Sequence, residues 1–173
     1  GVEGSLTMHE AVQINVPQRL LTDRFATARN AHVLDLGAGS GRASIGLLLA
    51  RPEATVIALD RYEGYYGIDD NTPARLKANA QRAGVAGRLD IRVADMRQLP
   101  FEDRSLDAAI SIAALDHLDW PGIGTTLREV ARVLRPGGQL LIGGLNPDAW
   151  VRIAIPSSMH GGYWGTAQNL QRW

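Results

Sequence analysis

Short apolar runs and longer amphipathic runs alternate along the middle of the chain. The apolar runs are rich in β-branched residues, and an acid or a glycine ends three of them, as is typical of buried strands. In the longer runs the apolar residues recur at helical spacing, and Thr72-Pro73 is a helix start that Gly84 would end. The predicted strands are residues 32–36, 55–59, 89–94, 106–112 and 139–142, and the predicted helices are residues 43–50, 73–83 and 121–134.

Five strands that alternate with helices indicate an α/β protein of the doubly wound type, with a parallel sheet covered on both faces. Such sheets bind their ligands at the carboxyl ends of the strands. Gly37, Asp60, Asp95 and Ile112 all lie at predicted carboxyl ends. The sequence therefore predicts a ligand site where four loops meet at one edge of the sheet.

Composition narrows the class of protein further. The chain has 173 residues, with 18 basic and 18 acidic side chains and no cysteine. The length suits one domain, and the balanced charge gives no electrostatic footprint for nucleic acid. The missing cysteine excludes disulfides, thiolate metal sites and cysteine nucleophiles. Because there is no apolar run of about 18 residues and no signal peptide, we expect no membrane span and a cytoplasmic location.

The segment VLDLGAGSGR at residues 33–42 combines three glycines with an acid. A dinucleotide-binding loop reads G-x-G-x-x-G/A and holds a pyrophosphate at a helix N-terminus. Here the third glycine comes one position earlier, and Arg42 replaces a small residue. The carboxylate of Asp35 would repel a pyrophosphate, but it suits a ligand with a cationic amino group. The loop therefore favours a nucleoside without phosphate.

S-adenosylmethionine is such a ligand, because it carries an adenosine, a sulfonium and an α-amino group. Asp60 lies 21 positions after Gly39, where a carboxylate can accept both ribose hydroxyls. Asp95 ends the third predicted strand and can accept the exocyclic amine of adenine. An acid that ends a strand is usually only solvated. Three acids in this order around a glycine loop form a more specific pattern.

The chain resembles the class I S-adenosylmethionine-dependent methyltransferases. The similarity rests on the blocks VLDLGAGSGR, VIALDRY, VADMRQLPFEDRSLDAAIS and EVARVLRPGGQLLI, which follow the family's order and spacing between about residues 31 and 145. The resemblance implies a Rossmann-like sheet in the order 3-2-1-4-5. It also implies methyl transfer to a small-molecule acceptor by in-line displacement, with S-adenosylmethionine as cofactor and S-adenosylhomocysteine as product.

The resemblance also implies which residues bind the cofactor. The glycine-loop residues would line its methionine and ribose end, the second strand its ribose and adenine, the third its adenine edge, and the fourth the transferred methyl. In that order these residues are Asp35, Gly37, Ala38, Gly39 and Gly41; Asp60 and Arg61; Asp95 and Met96; and Ile112 and Ala113.

His117 is the candidate general base, because it follows the fourth strand and imidazole titrates near neutral pH. The alternative is a structural histidine at a helix start, bonded to backbone or paired with Asp116. Tyr62, Tyr65 and Tyr66 either stack on adenine or substrate or pack the loop that carries them.

No metal is expected. Asp69-Asp70-Asn71 reads as a turn or helix cap, since three adjacent polar side chains cannot all face one ion. Methyltransferases that act on nucleic-acid bases carry prolines after the fourth strand. Residues 111–114 contain none, which argues further against nucleic acid.

The ends of the chain extend beyond the predicted core, which comprises residues 30–146. Residues 1–29 are expected to form a helical lid over the cofactor, and residues 147–173 an aromatic tail. Family members usually add a carboxyl-terminal hairpin, and the tail does not read as two strands. Either the sequence is part of a longer chain, or a partner such as a second copy covers the exposed edge.

Two other functions stay open from the sequence. A nicotinamide-dependent oxidoreductase would place a pyrophosphate at the glycine loop. A cofactor-binding module without turnover would keep the acids but lack a closed acceptor pocket beside Ile112 and His117.

Overall fold

The computed structural model of the protein describes residues 24–63 and 71–143. These residues form one parallel sheet in the order β3-β2-β1-β4-β5, which confirms the predicted order. The strands are β1 (His32–Leu36), β2 (Thr55–Asp60), β3 (Leu89–Val93), β4 (Leu106–Ile112) and β5 (Leu134–Gly143). Residues 1–23 of the predicted lid, the tail, Tyr65, Tyr66, Asp69 and Asp70 lie outside these ranges.

The predicted bounds are close to the observed ones except at β5. This strand begins at Leu134, opposite Leu106, but its next paired residue is Gln139, opposite Ala108. Residues 135–138 are therefore accommodated as an irregularity in the register. They are the residues expected to form a turn, and Gly137 has a φ of 80°.

Within residues 24–63 and 71–143, three helices cover the sheet: α1 (Arg42–Ala50), α2 (Pro73–Arg82) and α3 (Trp120–Val133). The predicted start of α2 is confirmed, because the Thr72 hydroxyl accepts the Arg75 N–H at 3.2 Å and Pro73 is the first helical residue. Asp119 caps α3 in the same way, accepting the Gly122 N–H at 2.9 Å. Short 3-10 turns occupy Ala86–Arg88 and Leu115–His117.

Alternation along β1 separates two apolar cores. Val33 packs with Leu47 of α1 and Ile110 of β4, all fully buried, on one face of the sheet. Leu34 and Leu36 pack on the other face with side chains of α3. Because residues paired in a parallel register point to the same face, Asp35 shares the α1 face with Ala58 of β2.

The segment before β1, the central strand, is tied to the edge strand β5. The side-chain amide of Gln139 donates to the Arg24 carbonyl and accepts the Ala26 N–H, both at 2.8 Å. Phe25, between them, is buried in the core beside α1. In the part of the chain that the structure describes, no helix is long and apolar enough to cross a membrane.

Candidate functional site

The loop between β1 and α1 lies close to two neighbouring segments. The N–H groups of Gly37 and Ala38 donate to the Leu59 carbonyl at 2.8 and 3.1 Å. A Cβ at Gly37 would lie 2.3 Å from Ala114 Cβ, and one at Gly41 would lie 1.9 Å from Leu76 Cδ1. Both glycines also have positive φ, 75° and 95°. Contact with protein therefore accounts for two of the three glycines.

The Asp60 carboxylate connects the glycine loop to the end of β2. Its Oδ2 accepts the Gly39 N–H and its Oδ1 accepts the Tyr62 N–H, each at 2.8 Å. Each carboxylate oxygen has a second lone pair, so the group can still accept hydroxyl donors. The hydrogen bond between Asp60 and the middle glycine of the loop was not predicted from the sequence, which assigned Asp60 only to the ribose hydroxyls.

Asp35 lies beneath the loop and is held by α1. Its side chain is only 1% exposed, and Oδ2 accepts the Ser44 hydroxyl at 2.6 Å. Burial raises the pKa of Asp35 to about 6, while hydrogen bonds from the Ser44 hydroxyl and backbone N–H oppose the rise and the Asp60 charge adds to it. Its Oδ1 is enclosed and has no hydrogen-bond partner. A buried acceptor in this state suits a ligand group with N–H donors.

Asp95 follows β3 and forms ion pairs with two arginines. The Arg97 guanidinium lies 2.5 Å from Asp95 Oδ2, and Arg61 Nη1 lies 3.7 Å from the same oxygen. The hydrogen bond from Arg97 holds the pKa of Asp95 below its usual range, so the group stays an anionic acceptor. Arg61 also pairs with Glu63. The predicted residues Arg61 and Asp95 are thus neighbours at the rim of the site.

The residues that follow β4 lie against the glycine loop, where Ala114 is close to Gly37. Ala113 has a φ of 51°, and its N–H donates to the Gly143 carbonyl at 2.7 Å. Non-glycine residues with positive φ are strained and cluster at functional sites. His117 ends the 3-10 turn after Ala114 and is half-buried, with its N–H donating to the Ala114 carbonyl at 3.1 Å.

The structure brings most of the predicted residues together. Gly39 bonds Asp60, Arg61 pairs with Asp95, and Met96 Cε lies 3.4 Å from where a Gly37 Cβ would stand. Ile112 packs instead against the core beside α1.

Sequence reasoning missed Ser44 and Arg97. Ser44 stands in the apolar run that became α1, and it is completely buried. A hydroxyl on the buried face of a helix needs a partner, which was an available signal. Arg97 stands two residues after Asp95, and nothing in its type or spacing distinguishes it from a solvated arginine.

In the residues that the structure describes, no three His, Asp or Glu side chains are grouped so that they could hold a metal ion. The amino end of α1 already carries a carboxylate, because Asp35 accepts the Ser44 N–H and hydroxyl. A negative group at this position opposes a pyrophosphate.

Comparison with known proteins identifies the family. The family model described as a methyltransferase domain matches residues 33–138, which is more than half of the chain. The matched residues contain the glycine loop, the acids at the ends of β2 and β3, and His117. The protein belongs to this methyltransferase-domain family.

Individual relatives agree with this assignment. A malonyl-acyl-carrier-protein O-methyltransferase of Laribacter hongkongensis is 37% identical over 148 residues, covering 77% of this chain and 46% of the relative. An O-methyltransferase of Aspergillus nomiae is 30% identical over 132 residues, covering 76% of this chain and 54% of the relative. The chain therefore spans about half the length of these curated relatives.

Among solved structures, a candidate S-adenosyl-L-methionine-dependent methyltransferase of Methanococcus maripaludis has the same fold. The two superpose with a TM-score of 0.68 at 21% identity, covering 98% of this chain and 80% of the other. This neighbour supports the Rossmann-like architecture.

Replacing Asp35 with Asn should make the stability of the protein less dependent on pH. The folded carboxyl has a raised pKa, so its contribution to stability is complete below its usual value of 3.8 and is lost as the pH rises through about 6. This rise in the pKa of Asp35 corresponds to a change of about 3 kcal/mol in the free energy of unfolding between low and high pH. In denaturant unfolding, the free energy of unfolding of Asp35→Asn relative to the wild type should be higher at pH 8 than at pH 4. In Ser44→Ala the stability should be lost at a higher pH than in the wild type, because the Ser44 hydroxyl lowers the pKa of Asp35. Parallel profiles of stability against pH for Asp35→Asn and the wild type would contradict this account.

Gly37→Ala should destabilise the fold by about 1–3 kcal/mol, through strain at positive φ and contact with Ala114. Gly87→Ala is the matched control, since a Cβ there meets nothing within 4 Å. Combining Gly37→Ala with Ala114→Gly should recover the steric part of the loss, as measured by a double-mutant cycle of unfolding free energies. Equal losses at Gly37 and Gly87 would show that close approach does not constrain the loop.

Proposed function

We propose that this protein binds S-adenosylmethionine at the glycine loop and transfers its methyl group to a small-molecule acceptor. The observation that carries the proposal is the pair of acids around the loop. Asp60 bonds the middle glycine, and Asp35 lies beneath the loop with one enclosed, unpartnered oxygen. This arrangement fits a cationic nucleoside and disfavours a pyrophosphate, so the oxidoreductase alternative has no support at this site.

The residues at the strand ends would divide the cofactor between them. Asp60 would accept the ribose hydroxyls through its remaining lone pairs, with Arg61 beside the adenine. Asp95 and Met96 would meet the adenine edge, and Asp95 would share its oxygens between the adenine amine and Arg97. The glycine-loop residues would contact the methionine end through their backbone.

When bound, the cofactor supplies an electrophilic methyl group on a sulfonium. Ile112 and Ala113 would line the space beside that methyl, and the protein would orient the acceptor and exclude water. His117 would accept a proton from an acceptor hydroxyl, because it lies directly after the segment that contacts Gly37 through Ala114.

The acceptor chemistry is proposed from the relatives. Both relatives that are at least 30% identical and named above are O-methyltransferases, and one acts on a malonyl group on acyl-carrier protein. Hydroxyl and carboxylate acceptors are therefore the first classes to screen. The cytoplasmic location and a homodimer through the carboxyl-terminal edge stay predictions.

Calorimetric titration with S-adenosylhomocysteine, with NAD run alongside, tests the cofactor. The wild type should bind the thioether nucleoside and not NAD. Asp60→Asn should weaken binding about tenfold or more, because hydrogen bonds to a charged acceptor are lost. Asp90→Asn is the matched control, as Asp90 is an exposed carboxylate of β3 that pairs with Arg92. Binding of NAD in place of S-adenosylhomocysteine would overturn the proposal.

His117→Ala separates chemistry from cofactor binding. If His117 is the general base, the variant should lower turnover of an acceptor found by the screen about 100-fold. Binding of S-adenosylhomocysteine should stay within about twofold of wild type, since a general base acts on the acceptor and not on the cofactor. Unchanged turnover would assign His117 the structural role instead.

A further inference from the structure

The sheet divides at its carboxyl edge between β1 and β4. These two strands pair through residues 33–35 and 108–110, and their pairing ends there. β1 stays paired with β2 as far as Leu36, and β4 stays paired with β5 as far as Ile112. The strand order also reverses at this boundary, because β2 and β3 lie on one side of it and β4 and β5 on the other. In open α/β sheets this is the point where ligands bind.

Backbone hydrogen bonds turn the two strand ends away from each other. The Gly37 N–H, directly after β1, donates to a carbonyl of β2 at 2.8 Å, and the Ala113 N–H, directly after β4, donates to a carbonyl of β5 at 2.7 Å. The backbone groups of successive residues in an inner strand face alternate neighbours. The backbone groups of Leu36 therefore face β4, and those of Ile112 face β1.

A side chain takes the place of the next hydrogen bond between β1 and β4. In a continued parallel ladder, the Leu36 carbonyl would accept the Ile112 N–H. The ladder ends before this bond, and the Leu36 carbonyl accepts the Ser111 hydroxyl at 3.1 Å. Leu36 is fully buried and Ser111 is only 1% exposed, so this carbonyl depends on a donor from the protein.

The Ser111 hydroxyl reaches across a gap that a backbone N–H would have to close. Alanine would fill nearly the same space, so packing alone does not require the hydroxyl. With the hydroxyl, the buried carbonyl is satisfied while the ends of β1 and β4 stay separate. The glycine loop continues from one of these ends and Ala113 from the other, and both belong to the residues proposed to surround the reacting end of the cofactor.

We propose that Ser111 is a positioning residue that keeps β1 and β4 apart at the carboxyl edge and so sets the space for the methyl group of the cofactor, which rests on the proposed function. Ser111 acts through the Leu36 carbonyl, which it occupies in place of the Ile112 N–H. Without the hydroxyl, the buried carbonyl is unsatisfied, and forming the next ladder bond with Ile112 restores a partner. Ile112 and Ala113 then move toward the glycine loop and narrow the gap.

Amide hydrogen exchange, followed by NMR without ligand, tests the separation of the strands. In the wild type the Ile112 amide should exchange at least about tenfold faster than the Ile110 amide, which lies within the ladder. In Ser111→Ala the Ile112 amide should become at least about tenfold slower, because it gains the Leu36 carbonyl as its acceptor. Ser111→Thr keeps a hydroxyl and should keep the wild-type rate.

Thr126→Val is the matched control for the loss of a buried hydroxyl. Thr126 is fully buried in α3, and its hydroxyl donates to the Gly122 carbonyl at 2.9 Å. The substitution removes a buried hydrogen bond of the same kind away from the gap. It should therefore leave the Ile112 amide at least as fast to exchange as in the wild type.

Two ligands that differ at the sulfur test the space for the methyl group. S-adenosylmethionine carries the methyl, and S-adenosylhomocysteine lacks it. In Ser111→Ala the dissociation constant of S-adenosylmethionine should rise about tenfold relative to that of S-adenosylhomocysteine, because a narrowed gap no longer accommodates one methyl group. In Ser111→Thr and Thr126→Val the ratio of the two dissociation constants should equal the wild-type ratio.

The outcomes separate this inference from the proposed function. Unchanged Ile112 exchange in Ser111→Ala would overturn the role of Ser111, whichever ligand binds. Slower exchange with an unchanged ratio of dissociation constants would overturn the link to the methyl group and leave the cofactor assignment standing. If neither ligand binds to the wild type, the proposed function fails, and the exchange rates still decide whether Ser111 separates the strands.

Discussion

The hydrogen bonds made by the Asp60 carboxylate hold the site in its shape. One oxygen accepts the N–H of Gly39 and the other the N–H of Tyr62, so a single side chain fixes the glycine loop and the segment after β2 relative to each other. Arg61, between Asp60 and Tyr62, thereby reaches Asp95 at the end of β3. Three strand ends are thus connected through one acid, which combines a structural role with the proposed ribose contact.

Several features of the same region oppose stability. Asp35 is a buried carboxyl with a raised pKa, Tyr62 and Ala113 have positive φ, and Tyr62 and Asp35 each keep an unpartnered oxygen. The apolar cores on the two faces of the sheet are built from buried aliphatic side chains, and they provide the stability that tolerates these features. A concentration of unfavourable features at the strand ends is typical of a site organised for a ligand.

Much of the fold follows from local patterns. The alternation of apolar and amphipathic runs predicted five strands and three helices within a few residues, because each run carries its own period and its own cap, as at Thr72-Pro73. The start of β5 was placed too late, since pairing of Leu134 with Leu106 depends on a partner strand far away in sequence. For the site, the acids at the strand ends were found from their position after apolar runs, but the hydrogen bond between Asp60 and Gly39 was not predicted.

The sequence by itself determined the class of fold, the glycine loop and the order of its acids, because strand periodicity, helix caps and glycine spacing are local properties. Only the tertiary structure decided which atoms of those acids are engaged. Ser44 reaches Asp35 because α1 packs on the face of β1 that carries Asp35, and Arg97 folds back onto Asp95. Tyr62 turned out to be held against the glycine loop because Leu76 of α2 and Ala58 of β2 meet there. These contacts join residues through packing of separate elements, and no spacing along the chain encodes them.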